Sequence, residues 1–264
     1  MTNTTQVRRF QWRDLERFVH LFNEVSGISN SEKAYDMEFM LQFLSQPHCD
    51  PEENCYLVEE DGSLTGYILI TQELAIGRVV ASIGVVSYSS SQDSELNLVR
   101  VAKHHAKTLK ASVLHIEAPS DRASTHRILK IEGFRAVKSY WKMRRDKGEV
   151  QAMVFPKELT LRSFRLGQDE KALTDLQNAA FEHNWGFCPN TVEEIYARVR
   201  LSRSDPEGII LMSDIDRLAA YNWTTWVSNG TSTTGWISMT GVHPDYRGQG
   251  LGKAALISGI RYLT

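Results

Sequence analysis

Apolar residues along this chain repeat in two different periods. From Cys55 to Glu59 they alternate as in a strand, a turn is marked at Asp61-Gly62, and Gly66 to Thr71 returns as the next strand. Val79 to Val86 is a third, nearly continuous apolar run. Leu96 to Leu109 then changes to the helical period, with Leu98, Val101, Ala102 and Ala106 on one face. Val113 to Glu117 reads as a short buried strand, and Ser124 to Ile131 as a helix that Gly133 ends at its C-cap position. Tyr140 to Arg144 is expected to close the sheet. Strands alternating with helices predict an α/β fold with a mixed sheet.

The same pattern begins a second time. Val7-Arg8-Arg9-Phe10 recurs as Leu161-Arg162-Ser163-Phe164. Each is followed by a polar stretch and an amphipathic helix, with Leu15, Phe18, Val19 and Phe22 in the first copy and Leu173, Leu176 and Phe181 in the second. Ile83-Gly84-Val85 matches Thr240-Gly241-Val242 at nearly the same offset, which points to a duplicated unit. The expected layout is a first domain over 1–150, a linker over 151–158 and a second domain over 159–264. The second copy has far fewer residues after Gly241 than the first has after Gly84, so it is expected to be truncated at its C-terminus. A strand edge left bare there favours pairing with another chain, and a homodimer is one such outcome.

The strongest chemical signal lies at the end of the second copy. The strand-like run Trp236-Ile237-Ser238-Met239-Thr240 leads into Val242-His243-Pro244-Asp245-Tyr246-Arg247-Gly248-Gln249-Gly250-Leu251-Gly252-Lys253, and a helical run follows from Ala254 to Leu263. Glycines at alternate positions let the backbone turn tightly and approach a ligand. A helix beginning there leaves N–H groups unpartnered at the positive end of its dipole, an arrangement suited to phosphate. Gly250-Leu-Gly252-Lys-Ala-Ala255 formally matches the dinucleotide fingerprint, but six residues from Pro244 to Gln249 separate it from its strand and no acidic residue follows at the required distance. The nucleotide-triphosphate loop fails too, because Arg247 stands at its first glycine and Ala254 at its Ser/Thr.

Arg247-x-x-Gly250-x-Gly252, preceded by Val242-x-Pro244, resembles the acyl-CoA pyrophosphate loop of the GCN5-related N-acetyltransferases. Leu129-Lys-Ile-Glu-Gly133-Phe134 resembles a Leu-Tyr-x-x-x-Gly-Phe segment near that family's end, and the tandem plan resembles acetyltransferases of the mycothiol synthase type. The resemblance implies two tandem acetyltransferase-like domains and acetyl-CoA as cosubstrate. It implies that Gly241 and Val242 pair with the pantetheine arm and that the Val242 N–H serves as oxyanion donor. Arg247, Gly248, Gln249, Gly250, Leu251, Gly252 and Lys253 would hold the pyrophosphate, with Arg247 adding charge. A bound amine, on a small molecule or a peptide, would attack the thioester directly, so positioning and oxyanion stabilisation matter most.

The general base is not assigned. Relatives often place a Glu on the strand before the loop, whereas this strand offers Trp236, Ser238 and Thr240. Glu182, His183 and His243 remain candidates, beside a water relay. Without that carboxylate, a non-catalytic acyl-CoA sensor or scaffold stays open as an alternative. Core packing is the plainer account of Trp185, Trp223, Trp226 and Trp236, and an aromatic wall for the acceptor is the alternative, best placed at Trp185-Gly186-Phe187. At the corresponding loop the first copy reads Val86-Ser87-Tyr88-Ser89-Ser90-Ser91-Gln92-Asp93-Ser94-Glu95, with no glycine, no arginine and two carboxylates. It also has Leu129 where the resemblance calls for a Tyr, so this domain is expected to be catalytically silent.

Composition narrows the rest. The net charge is −2, with 30 basic and 32 acidic side chains, so neither nucleic acid nor an anionic membrane is an expected partner. No apolar run reaches the roughly 18 residues of a membrane span, and Met1-Thr-Asn-Thr-Thr-Gln lacks a signal-peptide core, so a cytoplasmic location is expected. Cys49, Cys55 and Cys188 form no disulfide framework, and His48-Cys49-Asp50 with Cys55 fits no usual zinc spacing, so no metal is expected. His104-His105, in a Lys-rich helical stretch, reads as a solvated face.

Overall fold

The computed structural model describes residues 5–26, 35–86, 92–154, 156–215, 217–228 and 233–264. The chain divides into two compact units, Met1–Lys142 and Met143–Thr264. The first contains β1 (Thr5–Arg9), α1 (Leu15–Val25), α2 (Met37–Leu44), α3 (Pro51–Asn54), β2 (Cys55–Glu60), β3 (Ser63–Glu73), β4 (Arg78–Val85), α4 (Gln92–Thr108), β5 (Val113–Glu117) and α5 (Ala123–Ile131). Its strands form one five-stranded sheet in sequence order. The pairings are antiparallel except the last, where β5 runs parallel to β4 after the α4 crossover.

The sequence explains why β3 reads as a continuous apolar run, because it is covered on both faces. Tyr67 and Leu69 join Phe10, Phe18, Leu21 and Leu57 on the α1 side. Ile68 and Ile70 join Val79, Ala81, Leu98 and Ala102 on the α4 side. The β2–β3 hairpin turns at Asp61 and Gly62, both at positive φ (48° and 82°), as a tight two-residue turn requires. Gly133 ends α5 at φ 87°, and the Phe134 N–H reaches back to the Leu129 carbonyl at 2.9 Å.

Two expectations fail in this unit. Tyr140 to Arg144 is not a strand: it is irregular, and Trp141 and Met143 are 89% and 90% exposed. The segment places Tyr140 beside Trp141 and then mostly basic residues, so it has no clean apolar face, and it pairs with no described strand. His105 is not solvated. It lies one heptad after Leu98 on the buried side of α4, with Nδ1 at 3.0 Å from the Tyr56 hydroxyl and Nε2 at 3.0 Å from Asn54 Oδ1. The Lys neighbours hid that position from a reading by composition. The first-copy loop expectation falls partly on Ser87–Ser91, which lie outside the described residues.

The second unit contains β6 (Thr160–Ser163), α6 (Glu170–Phe181), α7 (Val192–Arg198), β7 (Ser204–Asp214), β8 (Arg217–Ser228), β9 (Thr233–Val242) and α8 (Leu251–Leu263). Its four strands are antiparallel in the order β6-β7-β8-β9. Leu173 and Leu176 of α6 and Ile195 of α7 pack with Leu211, Tyr221 and Trp223 on one face. Leu251, Ala254 and Ala255 of α8 pack with Met212, Ala219 and Ala220 on the other. No helix among the described residues is long and apolar enough to cross a membrane.

The repeat read from four-residue strings extends to side-chain bonding. Arg8 grips Asp14 with two hydrogen bonds of 2.6 and 2.8 Å, and Arg162 grips Asp169 with the same two distances. Asn23 exchanges two bonds with the Tyr35 backbone, and Asn178 exchanges two with the Asn190 backbone. Both units are thus mixed α/β layers of one design, as the sequence predicts.

Candidate cofactor and acceptor site

The site begins where β9 ends. Tyr221 lies opposite Gly241 and Ala220 opposite Val242, and the His243 N–H donates to the Ala219 carbonyl at 2.9 Å. Bonding directions alternate along an antiparallel strand, so the Val242 N–H and C=O point away from β8. They face off the outer edge of β9, the edge strand of the described sheet. Gly241 is required by close approach. A Cβ there would lie 2.5 Å from the Tyr221 ring and 3.2 Å from the Ala180 Cβ of α6.

A short turn, Pro244–Tyr246, carries the chain across to the glycines. Tyr246 anchors it by donating its hydroxyl to Asp214 at 3.1 Å. Gly248 and Gly250 have φ of 81° and 79°, a left-handed conformation that other residues rarely adopt, and no atom lies within 4 Å of where their Cβ atoms would stand. The space over the loop is therefore open, and Gly248, Gln249 and Gly250 are exposed. Gly250 caps α8 without any side-chain bond, and no acidic residue stands in the first turn. The leading N–H groups of α8 are left to bind an anion. Leu251 is buried and fixes the helix start, while Lys253 is exposed on the first turn. Gly252 packs near Val242, with 3.6 Å between its would-be Cβ and Val242 Cγ2.

Arg247 does something the sequence did not reveal. Its Nη2 donates to the Ala180 carbonyl at 2.8 Å, near the end of α6, and its Nε approaches the Val242 carbonyl at 3.4 Å. The guanidinium thus ties the glycine loop to α6.

The three base candidates are placed apart. Glu182 and His183 are exposed at the C-terminal end of α6. His243 sits beside the loop with Arg217 Nη2 at 2.8 Å from its Nε2 and the Asp245 N–H donating to its Nδ1 at 3.2 Å. Arg217 also pairs with Asp245 at 2.9 Å. Burial, with Arg217 and Arg247 nearby, holds the His243 imidazole below its usual range despite Asp245. Each ring nitrogen thus lies beside a donor, so the single lone pair of the neutral ring is met by Arg217 or by the Asp245 N–H. Of the aromatic residues, Trp223 belongs to the core and donates to Ser204 at 3.0 Å, whereas Trp185 is 47% exposed in the loop after α6. No cluster of metal-ligating side chains occurs among the described residues.

Sequence reasoning missed Gln177. It follows Leu173 and Leu176 on the buried face of α6, one turn before Ala180, and is 1% exposed. A polar residue at a core position of a helical repeat was the available signal. Arg217 was missed as well, since nothing in its strand context marks it.

The acetyltransferase (GNAT) family profile matches residues 170–264, which begin at α6 and include the whole loop. A mycothiol acetyltransferase of Stackebrandtia nassauensis is 29% identical over 217 residues, covering 81% of this chain and 71% of that one. A mycothiol acetyltransferase of Arthrobacter sp. strain FB24 is 32% identical over 152 residues, which are 56% of this chain and 45% of that one. The crystal structure of a GCN5-related N-acetyltransferase from Sphaerobacter thermophilus superposes with a TM-score of 0.69 at 19% identity, covering 98% of this chain and 82% of the other. Loop, register, repeated architecture and relatives agree: residues 170–264 of the second unit belong to the acetyltransferase (GNAT) family, whose members take the acetyl group from acetyl-CoA, and the chain as a whole is similar to tandem N-acetyltransferases of that superfamily.

Proposed function

We propose that the second unit alone binds acetyl-CoA and passes its acetyl group directly to the amine of a small-molecule acceptor. The observation that carries this reading is the loop itself: two left-handed glycines under open space, leading into an uncapped, acid-free helix start. The pyrophosphate lies on the N–H groups from Gly248 to Lys253, and the pantetheine arm pairs along Gly241 and Val242. Arg247 contributes less by touching phosphate than by fixing the loop against α6.

The Val242 N–H, directed off the edge of β9, receives the oxygen that becomes negative as the amine attacks the thioester carbon. The C–N bond forms, the C–S bond breaks, and the CoA thiolate leaves and takes up a proton. The attacking amine must first lose its proton. Glu182 and His183 are exposed at the end of α6, and the His243 nitrogens lie beside donors, so a water relay is the favoured route. The mycothiol acetyltransferases to which the chain is similar favour a small-molecule amine over a peptide, while the absent strand carboxylate argues against carrying their substrate over unchanged.

That absence also sustains the second reading, a non-catalytic acyl-CoA sensor. Thiol release from acetyl-CoA across a panel of amines separates the two. Amine-dependent release supports the transferase. Tight binding without release for any amine supports the sensor, and no binding at millimolar acetyl-CoA sinks both.

A further inference from the structure

Two buried polar groups on the α6 side of Gly241 have no partner. Tyr221 is 0% exposed and its hydroxyl has no hydrogen-bond partner among the described residues. Gln177 is 1% exposed, and both its amide nitrogen and its amide oxygen lack partners there. The Tyr221 ring and the Ala180 Cβ meet at the same point over Gly241, and Gln177 lies one helical turn from Ala180 on the same face.

The first unit shows what this spot looks like when it is only core. There Tyr67 lies opposite Gly84, and Phe22 stacks on Tyr67 at 5.5 Å and 25°. Val25 fills the place of Ala180, its Cγ1 lying 2.7 Å from the would-be Cβ of Gly84. Gln177 therefore stands where Phe22 stands, and Ala180 where Val25 stands. The second unit keeps the scaffold and its tyrosine, removes volume and adds the two hydrogen-bonding atoms of the Gln177 amide. Packing gains nothing from that exchange, since a buried amide without partners is unfavourable.

We infer that Gln177 and Tyr221 form a neutral polar subsite beside the thioester position, built to hold one hydroxyl-sized group next to the acceptor amine. The inference rests on the reading of the second unit as an N-acetyltransferase. The Gln177 amide gives one hydrogen bond and accepts another, and the Tyr221 phenol supplies a further donor. Burial pushes that phenol well above its usual range, so it stays protonated. A carboxylate or phosphate finds no counter-charge there. A hydroxyl fits, either one carried by the acceptor or that of a water molecule relaying the amine's proton, and three polar atoms match what a buried water engages.

The test uses the full chain, Gln177→Leu and Tyr221→Phe, with trans-2-aminocyclohexanol and cyclohexylamine as acceptors. If the acceptor supplies the hydroxyl, the unmodified protein prefers the amino alcohol by about tenfold or more in kcat/KM, and both variants lose the preference. If water supplies it, the two amines are equivalent, and both variants lower kcat about tenfold with KM unchanged and move the pH profile to alkaline values. Either pattern supports the subsite. Variants that match the unmodified protein with both amines at every pH, while melting at the same or a higher temperature, overturn it. Acetyl-CoA binding by calorimetry stays unchanged in both variants. Should the unmodified chain bind no acetyl-CoA, the transferase reading falls, and melting temperature judges the subsite alone. A held water predicts lower values in both variants, and higher values overturn it.

Discussion

The two units share their joints and differ at their mouths. In both, an Arg–Asp pair locks the first strand to the first helix, and an Asn on that helix holds the backbone of the following segment. In both, a Tyr ring fills the place of a glycine side chain near the strand end. At the start of the next helix they part. In the second unit glycines open that space and no side chain caps α8. In the first unit Ser94 is fully buried and donates to Glu60 at 2.6 Å, and buried Glu95 accepts the Thr125 hydroxyl. Arg122 donates to the Val85 carbonyl at 3.0 Å, beyond the last β4–β5 pair, Ser82 with Glu117. The first unit thus fills its helix start with its own carboxylates where the second leaves backbone N–H groups uncapped, while both bring a guanidinium to the carbonyl of the strand-end valine. Duplication conserves what the fold needs, and the ligand site is where a copy is free to fill itself in.

Breaking that contrast should give its largest effect at the loop. Gly250→Asp places a side chain at φ 79° and a negative charge in the cradle. Acetyl-CoA binding by calorimetry should weaken by at least about 100-fold, near 3 kcal/mol. Asp93→Ala, on the exposed first turn of α4, should leave binding unchanged. Equal losses would show that the first unit also binds cofactor through its loop.

The shared joints should respond alike. Arg8→Ala and Arg162→Ala each remove the two-bond partner of a buried carboxylate, Arg17 staying 3.8 Å from Asp14 in the first unit, with an expected cost of about 3 kcal/mol in urea unfolding. Burial raises the Asp14 and Asp169 carboxyls, but their arginines and backbone N–H donors outweigh it and hold both below the usual range. Their stabilisation is therefore full above the unfolded carboxylate pKa of about 3.9 and is lost as pH falls below it. An Arg variant that unfolds at the same urea concentration as the unmodified chain would remove the joint from the account.

Gly84→Ala and Gly241→Ala sharpen the comparison at smaller cost. Each forces a ring to move, because a Cβ would lie 2.5 Å from Tyr67 or Tyr221. Both should destabilise by about 1–3 kcal/mol, as overpacking does, but Gly241→Ala alone should also slow acetyl transfer. The smallest effect concerns His105. Burial and Arg9 hold its imidazole below the usual range, so the folded state disfavours its charged form. The unfolded chain binds the extra proton, so the first unit loses stability as pH falls below about 6.5, and His105→Gln should flatten that slope in melting curves.

The sequence made the loop, the repeat and most strands legible because each rests on local rules: alternation, glycine at positive φ, a helix start. Other features needed the third dimension. The exposed first turn at Asp93 could be guessed, but nothing local marks Ser94 as fully buried against Glu60, so a charge there disturbs the fold before any ligand. Gln177 was visible as a polar residue among Leu173, Leu176 and Ala180, yet its lack of partners depends on Tyr221, 44 positions away on another element. Tyr140 to Arg144 satisfied a local strand rule but found no ladder among the described strands.

The central claim is that one unit of the pair binds the cosubstrate. Equilibrium dialysis of the full chain against labelled acetyl-CoA counts the sites directly. The account predicts one site per chain, abolished by Gly250→Asp. Two sites per chain, or one site that survives Gly250→Asp, would contradict it.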